Sequence, residues 1–351
     1  MKKILSVLLA LTIVFATFTF TASAYGCDDD NAKSGWEQMV LDNYNEFISE
    51  VDGDENKIPM IISTDQHGGV TLFNKTFEYV NEIVDWNKVS KIINLGDTVT
   101  LFFNPFELLA YRYATKSIPT EKRIELCGNH DSHVLPVKLL SGLFFPTPGA
   151  VKAQSNNAFV VKDDAFNVRY LSIDPMSFPW KYEGGKITSK QADFIVSELS
   201  KQDSSDIVLL AHPYLFRDEI TRRDGSVFTG SDYFIGGSKK YADVKQSFLD
   251  MLLARKNKTA GVFIDCDGVK HPYDFSSCEG DFLMSLHGHH HSEGYETSNG
   301  ITEFLFQGFS RNNEDKNEPN CFYFAYIDRS AKTFKCWKNV KGYDAWEIPI
   351  A

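Results

Sequence analysis

The sequence predicts an α/β protein whose core is a largely parallel sheet. Two observations carry that expectation. Strand-like and helix-like runs alternate through the first third of the chain, which is how parallel strands joined by helices read. Polar clusters also stand mostly just behind apolar, strand-like runs: Asp65-Gln66-His67, Gly96-Asp97, Gly128-Asn129-His130-Asp131, His212 and Gly288-His289-His290-His291. Strand exits are where an open α/β sheet places its site.

Residues 34–50 read as a helix, with Trp36, Met39, Val40, Tyr44 and Phe47 at helical spacing. A strand follows over Met60–Ser63, then a helix over Leu72–Trp86 with Phe73, Phe77, Val80 and Ile83 on one side. Lys91–Leu95 is a short apolar strand. Pro105–Tyr113 reads as a helix whose first turn suits Pro105, and Arg123–Cys127 is the third strand. Phe166–Ile173 is the next. Thr188 opens a helix through Leu199, and Gln191 three residues on completes a capping signal. Ile207–Ala211 is an aliphatic strand, 213–240 a glycine-bearing loop, and Ala242–Ala254 a helix. Phe282–Leu286 leads into the histidines. Paired strands are expected near Ile301–Gln307, Phe322–Asp328 and Thr333–Lys338, with Asp328-Arg329-Ser330 turning between the last two.

The first 24 residues read as an export signal and not as fold. Lys2 and Lys3 precede a mostly apolar run over 4–20, and Ala22-Ser23-Ala24 supplies a small-residue cleavage site. A membrane anchor helix is the alternative, but the run ends in that cleavage motif and then Asp28-Asp29-Asp30, which favours removal near Ala24. Lipid attachment at Cys27 is a second alternative, and Ala24 and Tyr25 fit that processing poorly. Membrane association is expected only if Cys27 is lipidated. The formal charge is −11, and loss of Lys2 and Lys3 makes the exported chain more acidic still. That balance argues against a broad grip on a nucleic-acid backbone, so no extended nucleic-acid surface is expected. It also means that a pocket for phosphate needs local positive charge, which bound metals supply. Six cysteines in 351 residues are too few for a disulfide-built scaffold. Cys127 reads as buried and free. Cys266 with Cys278, and Cys321 with Cys336, are near enough in sequence to pair.

The clusters have a common chemistry. Asp65 and His67 are two apart, so in an extended segment a carboxylate and an imidazole face one way. Asp97 offers a carboxylate that can bridge two cations, and Gly96 permits the turn that exposes it. Each pair alone is common by chance. In Gly128-Asn129-His130-Asp131 the Asn129 carbonyl can meet an ion, His130 can face substrate, and Asp131 can orient or charge it. His212 ends a strand before Pro213, and by itself would read as structural. His289 and His291 can point one way and His290 the other. Taken together, nitrogen and oxygen donors without thiolates suit Mn, Zn or Fe better than an all-oxygen calcium or magnesium cage. His133, His271 and His287 read as supporting or structural.

In this order the pieces DQH at 65–67, GD at 96–97, GNHD at 128–131, His212 and GHHH at 288–291 resemble the calcineurin-like metallophosphoesterases, over roughly residues 58–340. The resemblance, to a secreted bacterial-type member, implies a four-layer α-β-β-α sandwich of two mixed β-sheets flanked by helices. It implies one ion held by Asp65, His67, Asp97 and His291, and a second held by Asp97, Asn129, His212 and His289. Asp97 would bridge them, and His130, supported by Asp131, would contact the phosphate or protonate the leaving group. Many members carry an Asp or Arg shortly after the Gly-Asp pair, where this chain has Thr98-Val99-Thr100. That departure bears on substrate positioning and not on metal binding. The implied organisation is a signal over 1–24, a lead-in with a helix over 25–57, the phosphoesterase domain over 58–342 and a tail over 343–351.

The expected activity is hydrolysis of a small-molecule phosphate mono- or diester. A hydroxide between two metal ions (Mn, Fe or Zn) attacks phosphorus, and His130 is the general acid. Three other readings stay open: a secreted binding module that keeps the fold without catalysis, a sulfatase or amide hydrolase on the same ions, and a nuclease or nucleotide pyrophosphatase. The 213–240 loop is expected to arch over the site, with Tyr214, Phe216, Phe228, Tyr233 and Phe234 for an organic leaving group. Arg217, Arg222 and Arg223 there would meet a second anion. An ordinary long loop is the equal alternative, and Phe144–Gly149 is a second possible rim. No sequence signal bears on oligomeric state.

Overall fold

Apolar residues two apart along the strands of two sheets meet in one interior. The computed structural model describes residues 30–67, 70–99, 105–132, 147–153, 158–173, 187–214, 219–229, 242–308 and 321–351. It divides into two units, Met1–Gln38 and Met39–Ala351. In the first unit the described residues, 30–38, are the opening turns of helix α1 (Asp30–Val51). The second unit continues through β1 (Lys57–Ser63), α2 (Val70–Ile83), β2 (Lys91–Asn94), α3 (Pro105–Ala114), β3 (Arg123–Glu125) and the one-turn α4 (Asn129–Ser132). Then come β4 (Val151–Lys152), β5 (Phe159–Asp163), β6 (Val168–Ser172), α5 (Ser189–Leu199), β7 (Asp206–Ala211), β8 (Glu219–Thr221) and β9 (Val227–Thr229). The last stretch is α6 (Ala242–Asn257), β10 (Ala260–Ile264), β11 (Lys270–Asp274), β12 (Phe282–His287), β13 (Gly294–Ser298), β14 (Ile301–Leu305), β15 (Tyr323–Asp328), β16 (Thr333–Lys338) and β17 (Trp346–Pro349).

One sheet has the order β17-β16-β15-β1-β2-β3, the other β4-β5-β6-β7-β12-β14-β13-β8-β9. Among the described residues, parallel pairing is confined to β1-β2-β3 and to β6-β7-β12-β14; every other pair is antiparallel. The expectation of a largely parallel sheet therefore holds for two parallel cores, each extended by antiparallel edges. Met60, Ile62, Ile93 and Ile124 of the first sheet pack against Val208, Leu210, Met284, Leu286 and Phe304 of the second in one buried cluster. The outer face of the second sheet is covered by α5, α6 and the β10–β11 hairpin, through Ile195, Leu199, Phe248, Leu252 and Phe263. On the outer face of the first sheet, Phe47 of α1 meets the rings of Phe324 and Trp337. The result is two mixed sheets flanked by helices. Among the described residues no helix is long and apolar enough to cross a membrane.

Local chemistry explains the helix ends that matter. Pro105 takes the first position of α3, where its missing N–H would be unsatisfied anyway. The Thr188 hydroxyl accepts the Gln191 N–H at 3.4 Å and caps α5.

Several expectations need correction. Residues 219–229 are a β-hairpin on the edge of the second sheet, not loop. Ile301–Leu305 pairs with β12 and β13, so it does not join the β15–β16 ladder. The 343–351 segment carries β17, which pairs with β16. Cys278, Cys321 and Cys336 carry free thiols, so neither suggested disulfide forms. Ala22-Ser23-Ala24, Cys27, Thr100, His133, Phe144, Phe145, Pro146, Phe216, Arg217, Tyr233 and Phe234 lie outside the described residues.

Candidate metal centre

Five of the parallel strands, β1, β2, β3, β7 and β12, are followed by polar residues that come together at one end of the sandwich. Asp65 and His67 follow β1, Asp97 follows β2, Asn129, His130 and Asp131 follow β3, His212 follows β7, and His289 and His291 follow β12. Among the described residues three triads of donor atoms result: Asp65, His67 and His291; His67, Asp97 and His130; and Asp97, His212 and His289. Within each triad the donor atoms lie within 4.8 Å of one another. His67 links the first triad to the second, and Asp97 the second to the third. This is a buried, bridged arrangement of the kind that holds a binuclear hydrolytic centre.

The hydrogen bonds aim the donors inward. The Asp65 Oδ2 accepts the Thr64 hydroxyl and the His289 N–H, each at 2.8 Å. Its Oδ1 is buried without a hydrogen-bond partner, 3.3 Å from His291 Nε2 and 3.9 Å from His67 Nε2. The His67 Nδ1 meets the Val99 carbonyl at 3.2 Å, which makes it the N–H nitrogen and leaves an Nε2 lone pair. That Nε2 lies 2.9 Å from His291 Nε2. The His212 Nδ1 meets the Leu95 carbonyl at 2.9 Å, so its Nε2 also turns inward, 3.1 Å from Asn129 Oδ1 and 3.2 Å from His289 Nδ1. The Asp97 Oδ2 stands 3.2 Å from His212 Nε2 and 4.0 Å from the Nε2 atoms of His67 and His130. Imidazoles tied at one nitrogen and converging on carboxylates at the other are how proteins prepare metal ligands. The orphaned Asp65 oxygen and these convergent lone pairs fit a pair of cations.

The electrostatics agree. Burial would raise Asp97, but His212, His130 and His67 together outweigh it and hold the carboxyl well below the usual range. Burial lowers His212, the Asp97 carboxylate outweighs that, and the imidazole is pushed up to about 9. His289 is pushed down to about 4 by burial and by His212. Asp65 and Asp97 are thus ionised, and a proton on His212 occupies ground that a cation would take.

Two sequence expectations change. Asp65 and His67, and likewise His289 and His291, are not in extended backbone. Their φ values are 50°, 43°, 71° and 51°, and Asp97 sits at 55°. The side chains converge through left-handed turns, not through strand alternation. Asp131, expected to orient His130, instead gives its two oxygens to backbone: Oδ1 accepts the Val99 N–H at 3.1 Å and Oδ2 the Gly128 N–H at 2.9 Å. Burial, then the Asp97 charge, push it up to about 7. His287 supports the site as expected, its Nδ1 meeting the carbonyls of Ala211 and Pro213 on either side of His212. His271 lies elsewhere, between Asp193 and Asp265. His290 turns from its neighbours toward Tyr214 and Phe228, 5.5 Å from each ring. Arg223, offered as an anion contact, pairs with Glu293 at 2.8 Å. Arg222 lies over the Phe228 ring at 4.3 Å.

No family model and no curated protein matches the sequence. Solved structures do match. A dimetal phosphatase from Danio rerio is 11% identical, with a TM-score of 0.55 over 84% of this chain and 99% of that one. GAP50, described as the anchor in the inner membrane complex of Plasmodium, is 12% identical with a TM-score of 0.45, over 84% of this chain and 89% of that one. A predicted phosphoesterase from Streptococcus pneumoniae is 11% identical with a TM-score of 0.35, over 83% and 97%. At these identities a likeness speaks for fold alone: the chain shares the two-sheet fold of the Danio rerio dimetal phosphatase.

Proposed function

We propose that the chain is a two-metal phosphoesterase acting on a small phosphate mono- or diester. The observation that carries this reading is the Asp97 carboxylate, buried and common to two of the three donor triads. Asp65, His67, Asp97 and His291 would hold one ion, and Asp97, Asn129, His212 and His289 the other. Nitrogen and oxygen donors of this mix favour Mn, Fe or Zn. Bound there, two such cations supply Lewis acidity toward a water and toward phosphoryl oxygens.

The chain's own residues do the rest. His130 is half-buried, as are Asn129 and His289, with its ring 4.6 Å from that of His67. It would deliver the proton to the leaving oxygen, a contribution of about 10²–10⁴-fold. Asp131 holds the Val99 and Gly128 amides and so fixes the turn that presents His130. Residues 1–24 would export the chain, on the strength of Lys2, Lys3, the apolar run and Ala22-Ser23-Ala24.

The test is metal content and turnover on one preparation. Purified protein is depleted of metal, reloaded separately with Mn, Fe and Zn, and assayed on p-nitrophenyl phosphate, its bis-ester and p-nitrophenyl sulfate. Two ions per chain with hydrolysis of either phosphate ester support the reading. Two ions without turnover would leave a binding module, and turnover of the sulfate alone would reassign the substrate.

A further inference from the structure

One buried side chain joins the two loops that carry Asp65, His67 and Asp97. Asn94 ends β2, the middle strand of its parallel core, beside Ser63 of β1 and Glu125 of β3. It is 3% exposed, at a position where its strand neighbours Ile92 and Ile93 are apolar. A buried amide there is costly unless its hydrogen bonds are met. They are met, and the partners are informative. The Asn94 Oδ1 accepts the Gln66 side-chain N–H at 3.2 Å and the Gly96 backbone N–H at 3.1 Å. Its Nδ2 donates to the Thr98 hydroxyl and to the Tyr111 oxygen, each at 3.1 Å, with Glu125 Oε2 at 3.4 Å.

Those partners straddle the donors. Gln66 lies between Asp65 and His67, and its amide also donates to Ser63 Oγ at 3.1 Å. Gly96 and Thr98 flank Asp97. The first loop is therefore tied to the second by an amide, in addition to two backbone bonds: Asp65 N–H to Gly96 O at 2.9 Å and His67 N–H to Asp97 O at 3.1 Å. Asn94 is itself fixed from behind, because the Tyr111 hydroxyl donates to Glu125 and the Glu125 N–H is held by Thr147 Oγ1 at 3.1 Å.

We infer that Asn94 is a positioning residue, whose side-chain amide sets the spacing between the loop of Asp65 and His67 and the loop of Asp97, and with it the fit of the pair of ions. The inference rests on the two-metal reading and goes beyond it, since Asn94 touches neither ion nor substrate. Partners that orient ligands typically govern 10–100-fold in metal affinity or activity. Tyr111 sits on the far side of the same amide and reaches neither loop through its described bonds.

Calorimetric titration of the metal-depleted full chain with Zn or Mn provides the test, with thermal melting and steady-state kinetics on p-nitrophenyl phosphate. Asn94→Ala should weaken metal binding about 10–100-fold and lower kcat while leaving KM nearly unchanged. Tyr111→Phe should lower the melting temperature and leave metal affinity within about twofold. Gln66→Ala should weaken metal binding in the same direction. The Asn94→Ala/Gln66→Ala double variant should bind no worse than Asn94→Ala alone, because both remove one link. If Asn94→Ala does not fold, Gln66→Ala carries the test. Unchanged affinity in Asn94→Ala, or in Gln66→Ala where that stands alone, would overturn the inference, as would an equal loss in Tyr111→Phe. Wild-type protein that binds no metal would overturn the two-metal reading instead.

Discussion

Gly128 donates to no ion, yet replacing it by alanine should cripple the site. A Cβ at Gly128 would lie 2.7 Å from Asp97 Cγ and collide with Asp97 Oδ1 and the Asp97 amide nitrogen. Carbon atoms settle at about 3.5–4.0 Å, so the carboxylate must retreat by about 1 Å. It has no slack for that. Its Oδ1 is held by the His130 N–H at 2.7 Å and its Oδ2 faces His212 at 3.2 Å. Gly128 is not in left-handed backbone, so alanine adds no left-handed strain, and its cost is the clash with the Asp97 carboxylate and amide nitrogen. Overpacking of this kind costs about 1–3 kcal/mol, which a domain of this size should survive folded. A displacement of about 1 Å at a reacting centre costs about 10²-fold in rate. Gly128→Ala should therefore fold, bind metal about 10–100-fold more weakly and lose about 10²-fold in kcat/KM. Melting curves, elemental analysis and p-nitrophenyl phosphate kinetics on one preparation read all three. A variant with two tightly bound ions and wild-type turnover would show that Asp97 is not the shared ligand.

Asp97→Ala should lose metal occupancy and nearly all hydrolysis, read by elemental analysis and turnover. His130→Ala should keep both ions and lower kcat by about 10²–10⁴-fold; loss of the ions would misassign that histidine. Chelation should lower the melting temperature and reloading restore it, since an ion at 100 times its Kd contributes about 2.7 kcal/mol. Thr188→Ala should cost about 1 kcal/mol in denaturant melts and leave metal content and turnover untouched.

The donors were legible because each interrupts an apolar pattern. Asp65 comes two residues after Met60–Ser63, Asp97 two after Lys91–Leu95, and His212 directly after Ile207–Ala211. A burial signal that switches to a charged or imidazole group within two residues has few explanations besides chemistry. What was not legible follows from the same logic. In β11 only His271 and Tyr273 are buried, and the strand contains Pro272, so no apolar run marks it. The strands β8 and β9 have three residues each, too short for a period to emerge. Left-handed backbone at Asp65 and His67 leaves no trace in residue type. Asn94 looked like an ordinary strand end, because its meaning lies in Gln66 and Gly96, which it reaches only in the fold. Asp131 was read as a partner of the adjacent histidine, but three-residue reach also covers the Gly128 amide, and that bond was the one taken.

The costs gathered at this point argue for ions more strongly than any single contact. Asp65, His67, Asp97, His289 and His291 all hold left-handed backbone, where non-glycine residues cost about 1–3 kcal/mol each, least for aspartate. Two ionised carboxylates, Asp65 and Asp97, are buried close enough to repel. The Nε2 atoms of His67 and His291 face each other at 2.9 Å. A core shaped for stability alone would avoid all three features, and here they share one centre. Two cations would reverse the sign of each: the carboxylates become ligands, the facing imidazole nitrogens both become donors, and the turns are the backbone that brings them together. A binding module that had shed its ions would keep every one of these costs with nothing to offset them. The non-catalytic alternative is therefore physically coherent only if it too holds metal, and turnover, not metal content, is what separates it from an enzyme.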